Sequence, residues 1–252
     1  MAGQTQKKIN YLPERKKMEA LGRLSCKAAH DFNNILGAIE GYATLAMNGV
    51  KENAPLAQDL REIRASVAKA AALAKQLLVF GGKQMLHKTP CGVNDIIANT
   101  LKRAELSPGG GFKIETRLAP GLPAVMTDAA QLEQALANLL LNAREAMPGG
   151  GTAAISSFAL RPESAAVNPP TPHAAGPLFI RIAVQDSGSG ITPEVFEHLF
   201  EPLFSTRKKG LGTGLGLSMV YGVVKQHNGW VEVKSEPGLG SEFMIFLPAA
   251  TD

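Results

Sequence analysis

The sequence is poor in the residues that cross-link a fold. It holds two cysteines, Cys26 and Cys91, far apart and with no CxxC or Cys/His spacing. Neither a disulfide framework nor a zinc site is expected, and a reducing, cytoplasmic setting is the natural reading. Long apolar runs are also missing. No stretch approaches the roughly 18 uninterrupted apolar residues of a membrane span, and Met1 opens into polar residues without a signal-peptide core. No membrane contact is expected of these residues, although an anchor elsewhere in a longer protein stays open. A basic body is lacking too. Lys7, Lys8, Arg15, Lys16 and Lys17 against Glu14 account for the whole net charge of +4, and the remaining 235 residues carry 21 basic and 21 acidic groups. That balance disfavours a nucleic-acid surface and reads residues 1–14 as a basic linker.

What is present is patterned. The hydrophobic share of 45% is ordinary for a globular chain. Leu21, Leu24, Ala28, Phe32, Ile35, Ile39, Tyr42 and Ala46 recur every three or four residues, which predicts one long amphipathic helix over Met18 to Ala46. Leu56, Leu60, Ile63, Val67, Ala70, Ala74 and Leu77 predict a second, and the turn chemistry of Asn48 to Pro55 joins them into an antiparallel hairpin. Two helices with wide apolar seams cannot close a core alone, so residues 15–88 are expected to form a homodimeric four-helix bundle. Gly81, Gly82 and Pro90 suggest a hinge.

Residues 89–252 read as a mixed α/β domain. A helix is expected from Asn94 to Ala104, a strand from Phe112 to Leu118, and a long helix from Thr127 to Met147, with Asp128 and Gln131 as a capping box. A strand over Thr152 to Leu160, a Pro/Ala/Ser-rich mobile insertion over Arg161 to Pro177, a strand ending at Asp186, a helix through His227 and a closing hairpin (Trp230 to Lys234, Glu242 to Leu247) complete it.

Three features of this domain carry chemistry. The run Gly210 to Leu217 precedes a helix, so backbone amides and a helix N-terminus converge where phosphate oxygens could sit. No Gly-Lys-Ser/Thr closes it, so it is not a Walker loop; by itself it could be a flexible loop. Asp186 stands at a strand end, where its carboxylate can accept from an amine, and Gly188 and Gly190 leave room for a flat ligand; alone, this would be an ordinary Asp-Ser-Gly turn. On the long helix Gln131, Gln134, Asn138, Asn142 and Glu145 share one face, opposite Leu132, Leu136, Leu139, Ala143 and Met147. Asparagine is a poor helix former, and Asn138 and Asn142 one turn apart suggest an oxygen donor for Mg²⁺.

Taken in order, Leu132 to Met147, Asp186-Ser-Gly-Ser-Gly190, Phe200-Glu-Pro-Leu-Phe204 and Gly212-Thr-Gly-Leu-Gly-Leu217 resemble the boxes of a histidine-kinase ATP-binding domain, from about Cys91 to Pro248. The resemblance implies the Bergerat α/β sandwich shared with gyrase, the mismatch-repair ATPases and the heat-shock chaperone ATPase. It further implies that ATP and Mg²⁺ are bound: Asn142 on the metal with Asn138 in support, Asp186 on the adenine amine, and Phe200 and Phe204 in a lid. Gly212, Thr213, Gly214, Leu215, Gly216 and Leu217 would form the phosphate cradle.

The hairpin separates a kinase from other ATPases of that fold. His30 lies about 200° around the helix from Ala28 and from Phe32, so it is expected to face outward. Asp31 is adjacent and Asn34 is one turn on. A neutral imidazole is a competent nucleophile, and a carboxylate can take the proton of its other ring nitrogen. His30-Asp-Phe-Asn-Asn34 resembles the phosphoacceptor box of the family. That implies autophosphorylation of His30 with Asp31 as general base, and transfer to an aspartate of a response-regulator receiver domain. It also implies a phosphatase role for Asn34. The alternatives are an ATPase of this fold working as a conformational clamp and a phosphotransfer scaffold without catalysis. His87, His173, His198 and His227 are read as ordinary histidines, and Arg207 and Lys208 as solvated charges.

Overall fold

The computed structural model describes residues 9–11, 14–51, 54–82, 84–104, 111–161, 178–206 and 213–250. In chain order these form β1 (Ile9–Tyr11), α1 (Arg15–Met47), α2 (Pro55–Phe80), β2 (Thr89–Cys91), α3 (Val93–Ala104), β3 (Phe112–Leu118), β4 (Val125–Thr127) and α4 (Ala129–Ala146). There follow β5 (Gly151–Leu160), β6 (Phe179–Asp186), α5 (Pro193–Phe196), α6 (Gly216–Gln226), β7 (Trp230–Glu236) and β8 (Gly240–Pro248). Of the proposed linker 1–14, residues 1–8 and 12–13 lie outside the described residues, as does all but Arg161 of the proposed insertion Arg161 to Pro177.

α1 and α2 pack as the expected hairpin, but α1 uses a different face from the one its large side chains suggest. Met18, Gly22, Cys26, Ala29 and Ala43 turn inward, while Leu24, Phe32, Ile35, Ile39 and Tyr42 are exposed. The inward residues are mostly small, and that lets the backbones close up: a Cβ on Gly81 would lie 2.7 Å from the Gly22 carbonyl oxygen. Arg64 bridges to Glu40 at 2.7 Å across the pair. On α2 the predicted register holds better, with Leu60, Ala74 and Leu77 buried and only Leu56 and Ile63 of the large residues in that register turned out.

The second part is a six-stranded sheet in the order β1-β7-β8-β6-β5-β3, beside a two-stranded sheet β2-β4. The β3–β5 pair is parallel and the other pairs of both sheets are antiparallel. Residues of α3, α4 and α6, among them Ile97, Leu136, Leu139 and Val220, bury against Ile155, Ile182, Val231 and Ile245 of the strands. Alternate residues of β6, β7 and β8 form a separate aromatic cluster, in which Trp230 stacks on Phe246 at 4.6 Å and meets the edge of Phe179 at 5.0 Å. A helical hairpin followed by an α/β sandwich is thus the observed architecture.

Three short elements escape the sequence pattern. β2, β4 and α5 have three or four residues each, too few for a period to register. β1 makes part of the proposed linker a strand, with Asn10 opposite Lys234. The proposed hinge begins from a firmly held end, because Val79 and Phe80 are buried in the main core and Gln226 donates to the Val79 carbonyl at 2.8 Å.

Candidate active site

α4 divides as its sequence predicts. Leu132, Leu136, Leu139, Ala143 and Met147 are buried, and Asn138, Asn142 and Glu145 line a cleft of about 340 Å³. Asp128 caps the helix by accepting from the Gln131 amide at 3.2 Å, which fixes where its first turn starts and therefore which residues face the cleft. The opposite wall is Thr213, Gly214, Gly216 and Leu217, with Phe204, Ser205 and Thr206 at the rim. α6 starts at Gly216, so its N-terminal amides, carrying the positive end of the helix dipole, belong to that wall.

Side chains tie the walls together. Asn138 donates to the Gly216 carbonyl at 3.3 Å, and the Leu203 amide donates to the Gly214 carbonyl at 3.0 Å. Gly214 has φ +65, and a Cβ there would fall 2.5 Å from the Leu203 carbonyl carbon. Only glycine fits both the conformation and the space. Gly212 lies outside the described residues.

Several expected residues sit elsewhere. Phe200 is 1% exposed and packs 6.0 Å from the Tyr221 ring in the core, so it supports the segment that carries Phe204 and does not face the cleft. Leu215 points away from the cleft and is buried with Ala29, Ala74 and Leu77 of the hairpin. Gly188 and Gly190 leave no room for a ligand on their Cβ sides. A Cβ at Gly188 would lie 2.6 Å from the Ala146 carbonyl oxygen, and one at Gly190 would lie 2.1 Å from that of Glu236. Chain packing requires those glycines.

Asp186 is buried at the end of β6 and outside the residues lining the cleft. It accepts from the Gly188 amide at 2.8 Å. Burial pushes its carboxyl above the usual aspartate range, against the lowering effect of backbone hydrogen bonds from Gly188 and Ser241. A buried acceptor of this kind gains from one more donor.

His30 is where a phosphoacceptor is expected, on the surface, with its side chain 72% exposed. The reason differs from the predicted one, since Ala28 and Phe32 are exposed as well and Ala29 faces inward. Its Nδ1 lies 3.2 Å from Asp31 Oδ1 and 3.5 Å from Asn34 Nδ2. With Nδ1 as the donor to Asp31, Nε2 carries the lone pair, on a side chain that is largely exposed. His30 is not among the cleft-lining residues, whereas Gln76 of α2 is. Sequence reasoning missed Gln76, and only the docking of the two parts could have revealed it. Ser205 and Thr206 follow Phe204 directly and were within reach.

His227 has both ring nitrogens engaged, accepting from the Asp128 amide at 3.0 Å and lying 2.7 Å from the Val223 carbonyl. Burial lowers its pKa from the ordinary histidine value. Its role is structural.

Comparison with known proteins agrees with this geometry. Residues 127–251 match the family described as histidine kinase-, DNA gyrase B- and HSP90-like ATPase. The chain is 38% identical to sensor kinase CckA of Brucella abortus over 95% of its own length and 25% of that protein. It is 34% identical to the sensory histidine kinase/phosphatase NtrB of Rhodobacter capsulatus, over 88% of this chain and 60% of that one. It therefore spans only part of these relatives. The crystal structure of full-length ShkA in complex with AMPPNP superposes with a TM-score of 0.63 at 23% identity, over 91% of this chain and 46% of that one. The chain belongs to the sensor histidine kinases, of which it carries the catalytic core.

Proposed function

We propose that the chain uses ATP with Mg²⁺ to phosphorylate His30 and then passes the phosphoryl group to an aspartate on a response-regulator receiver domain. The observation that carries this reading is the exposed imidazole of His30, with Nδ1 3.2 Å from Asp31 Oδ1, on a chain that also bears an ATPase-family cleft.

His30 Nε2 attacks the γ-phosphorus, the bond to the β–γ bridging oxygen breaks, and ADP leaves with that electron pair. The positive charge that develops on the ring is relieved as Asp31 takes up the Nδ1 proton. Thr213, Gly214, Gly216 and the start of α6 would receive phosphate oxygens, and Phe204 would close on the nucleotide. Asp186 would accept from the adenine amine.

The cleft wall fits a hard cation of low protein coordination. Asn142 and Glu145 supply oxygen donors one turn apart, and among the described residues no three His, Cys, Asp or Glu cluster to cage a metal. Mg²⁺ is typically held by one or two side chains plus phosphate oxygens, and it would neutralise charge on the phosphates. Asn142 is its candidate ligand, with Asn138 in support.

Residues 15–88 would dimerise through the outward face of α1 and α2. Phe32 at 54%, Ile35 at 58% and Tyr42 at 74% exposure form an apolar surface too large to favour water contact. Residues 89–252 would then be the ATP-binding domain. Asn34, one turn from His30, would orient water against the regulator's phospho-aspartate, a role in keeping with the kinase/phosphatase name of the Rhodobacter relative.

Incubation with γ-labelled ATP and Mg²⁺ tests the proposal. The expected label is acid-labile, alkali-stable and absent from His30→Gln. Phosphate release without labelling would support the ATPase clamp instead, and labelling that survives the substitution would mean another acceptor.

A further inference from the structure

Beyond the cleft and His30, one cluster links the start of α1 to a cleft-lining side chain. Lys17 stands in the first turns of α1, where the chain enters the hairpin. Its Nζ lies 2.6 Å from Glu201 Oε1 and donates to the Glu197 carbonyl at 3.2 Å. The same Glu201 oxygen lies 2.9 Å from His198 Nδ1. The His198 ring lies 5.3 Å from that of Phe204, and Phe204 lines the cleft with Asn138, Asn142 and Gly214.

The backbone reinforces this path. Glu201 donates its amide to the His198 carbonyl at 2.9 Å, Phe204 donates to that of Glu201 at 3.3 Å, and Leu203 is tied to Gly214. Residues 197–204 therefore form a wound segment with one end on Lys17 and the other in the cleft. Burial would raise the Glu201 carboxyl, but the hydrogen bonds and charges of Lys17 and His198 outweigh it and bring it below the usual glutamate range. A kept carboxylate is what an ion pair needs. The start of α1 is anchored on either side of Lys17: β1 pairs with β7, Met18 is buried in the main core, and Lys225 pairs with Glu19 at 3.4 Å.

We infer that Lys17 is a positioning residue for the nucleotide, acting through Glu201 and His198 on Phe204, so that the placement of the start of α1 sets how firmly the cleft holds ATP. The inference rests on the ATP-binding reading above. It gives the helix that bears His30 a second output: its first turn acts on the cleft, through residues 197–204, from about three and a half turns before His30 itself.

The test is nucleotide affinity of the full chain, read with a ribose-labelled fluorescent ATP and Mg²⁺, beside KM and kcat for self-labelling. The set is Lys17→Met, Glu201→Gln, the double variant and Lys17→Arg. The pair is partly exposed, so each of the first two should weaken binding and raise KM about two- to fivefold with kcat at saturating ATP unchanged. The double variant should be no worse than either single one, and Lys17→Arg should bind like the wild type. A structural role would lower the melting temperature without that split. Affinity indifferent to Lys17→Met, or single effects that multiply in the double variant, would overturn the inference alone. No nucleotide binding by the unmodified chain would overturn the functional reading and this inference with it.

Discussion

Gly222→Ala sets two physical effects against each other with opposite signs. Gly222 sits inside α6, where alanine is favoured over glycine by about 1 kcal/mol on helix propensity. A Cβ there, however, would lie 2.6 Å from Phe80 Cα and 2.6 Å from the Val79 carbonyl oxygen, both backbone atoms at the end of α2. Ordinary carbon contacts need about 3.5–4.0 Å, so the helices must part by about 1 Å, and overpacking of this kind costs about 1–3 kcal/mol. The hydrogen bond from Gln226 to the Val79 carbonyl spans the same contact and contributes about 1 kcal/mol more. Docking should therefore outweigh propensity by about 1–3 kcal/mol. Thermal unfolding of the full chain should fall by several degrees, at about 2–4 °C per kcal/mol for a chain of this size. Gly37→Ala and Gly41→Ala serve as controls, since nothing lies within 4 Å of a Cβ at either, and both should hold or raise the transition. A higher melting temperature for Gly222→Ala would refute the tight packing of α6 on α2.

Asp186→Asn should stabilise the nucleotide-free protein at neutral pH and weaken ATP binding about tenfold or more. The folded-state pKa of Asp186 is raised, so its ionisation costs stability as pH rises above the unfolded value near 3.8. The gain should vanish near pH 4, and a variant less stable than wild type at pH 7 would contradict the burial argument. His227 works the other way. Its folded pKa is lowered by burial, so its contribution is full above about 6.5 and lost as pH falls towards the folded value. Melting temperatures from pH 8 to 5 should drop more steeply for wild type than for His227→Gln, and parallel curves would exclude His227 as the cause. Leu215 packs on Ala29 of its own chain, which predicts phosphorylation of the same chain's His30. Mixing His30→Gln with Asn142→Ala should then restore no label, and restored label would mean transfer between subunits.

Much of the fold was legible because its signals repeat. α4 announces itself through five apolar and five polar residues on opposite faces plus a capping aspartate, and β3 and β6 through their apolar spacing. α1 was legible as a helix but not in its orientation. Large apolar residues mark the face that most needs covering, whereas Gly22, Cys26 and Ala29 mark the face that gets closest, and the period alone does not rank them. The same ambiguity runs through the glycines. Gly214 serves the cleft wall, while Gly188 and Gly190 serve chain packing, although all three looked alike in the sequence. Phe200 and Phe204 are four residues apart in one motif, yet one is core and the other cleft, a division set by tertiary packing on Tyr221.

The small-residue face of α1 also explains how a mobile transfer step could start from a well-packed state. Ala29 is completely buried in one cluster with Ala74, Leu77 and Leu215, and His30, the next residue, is open. The glycine-loop wall therefore already touches the hairpin beside His30, while the cleft itself reaches α2 at Gln76 and not α1 at His30. Bringing the two together would require sliding along a surface of Ala29, Ala74 and Leu77, into which, among the described residues, Leu215 of the loop is buried. A methyl group presents few atoms for dispersion attraction, so an alanine-lined surface keeps the barrier to sliding low. By contrast, the interactions that hold the parts together lie at the far end, at Gly222 on Phe80 and Lys17 on Glu201. Firm attachment at the base and a smooth face near His30 favour a pivot about the base over full separation of the two parts.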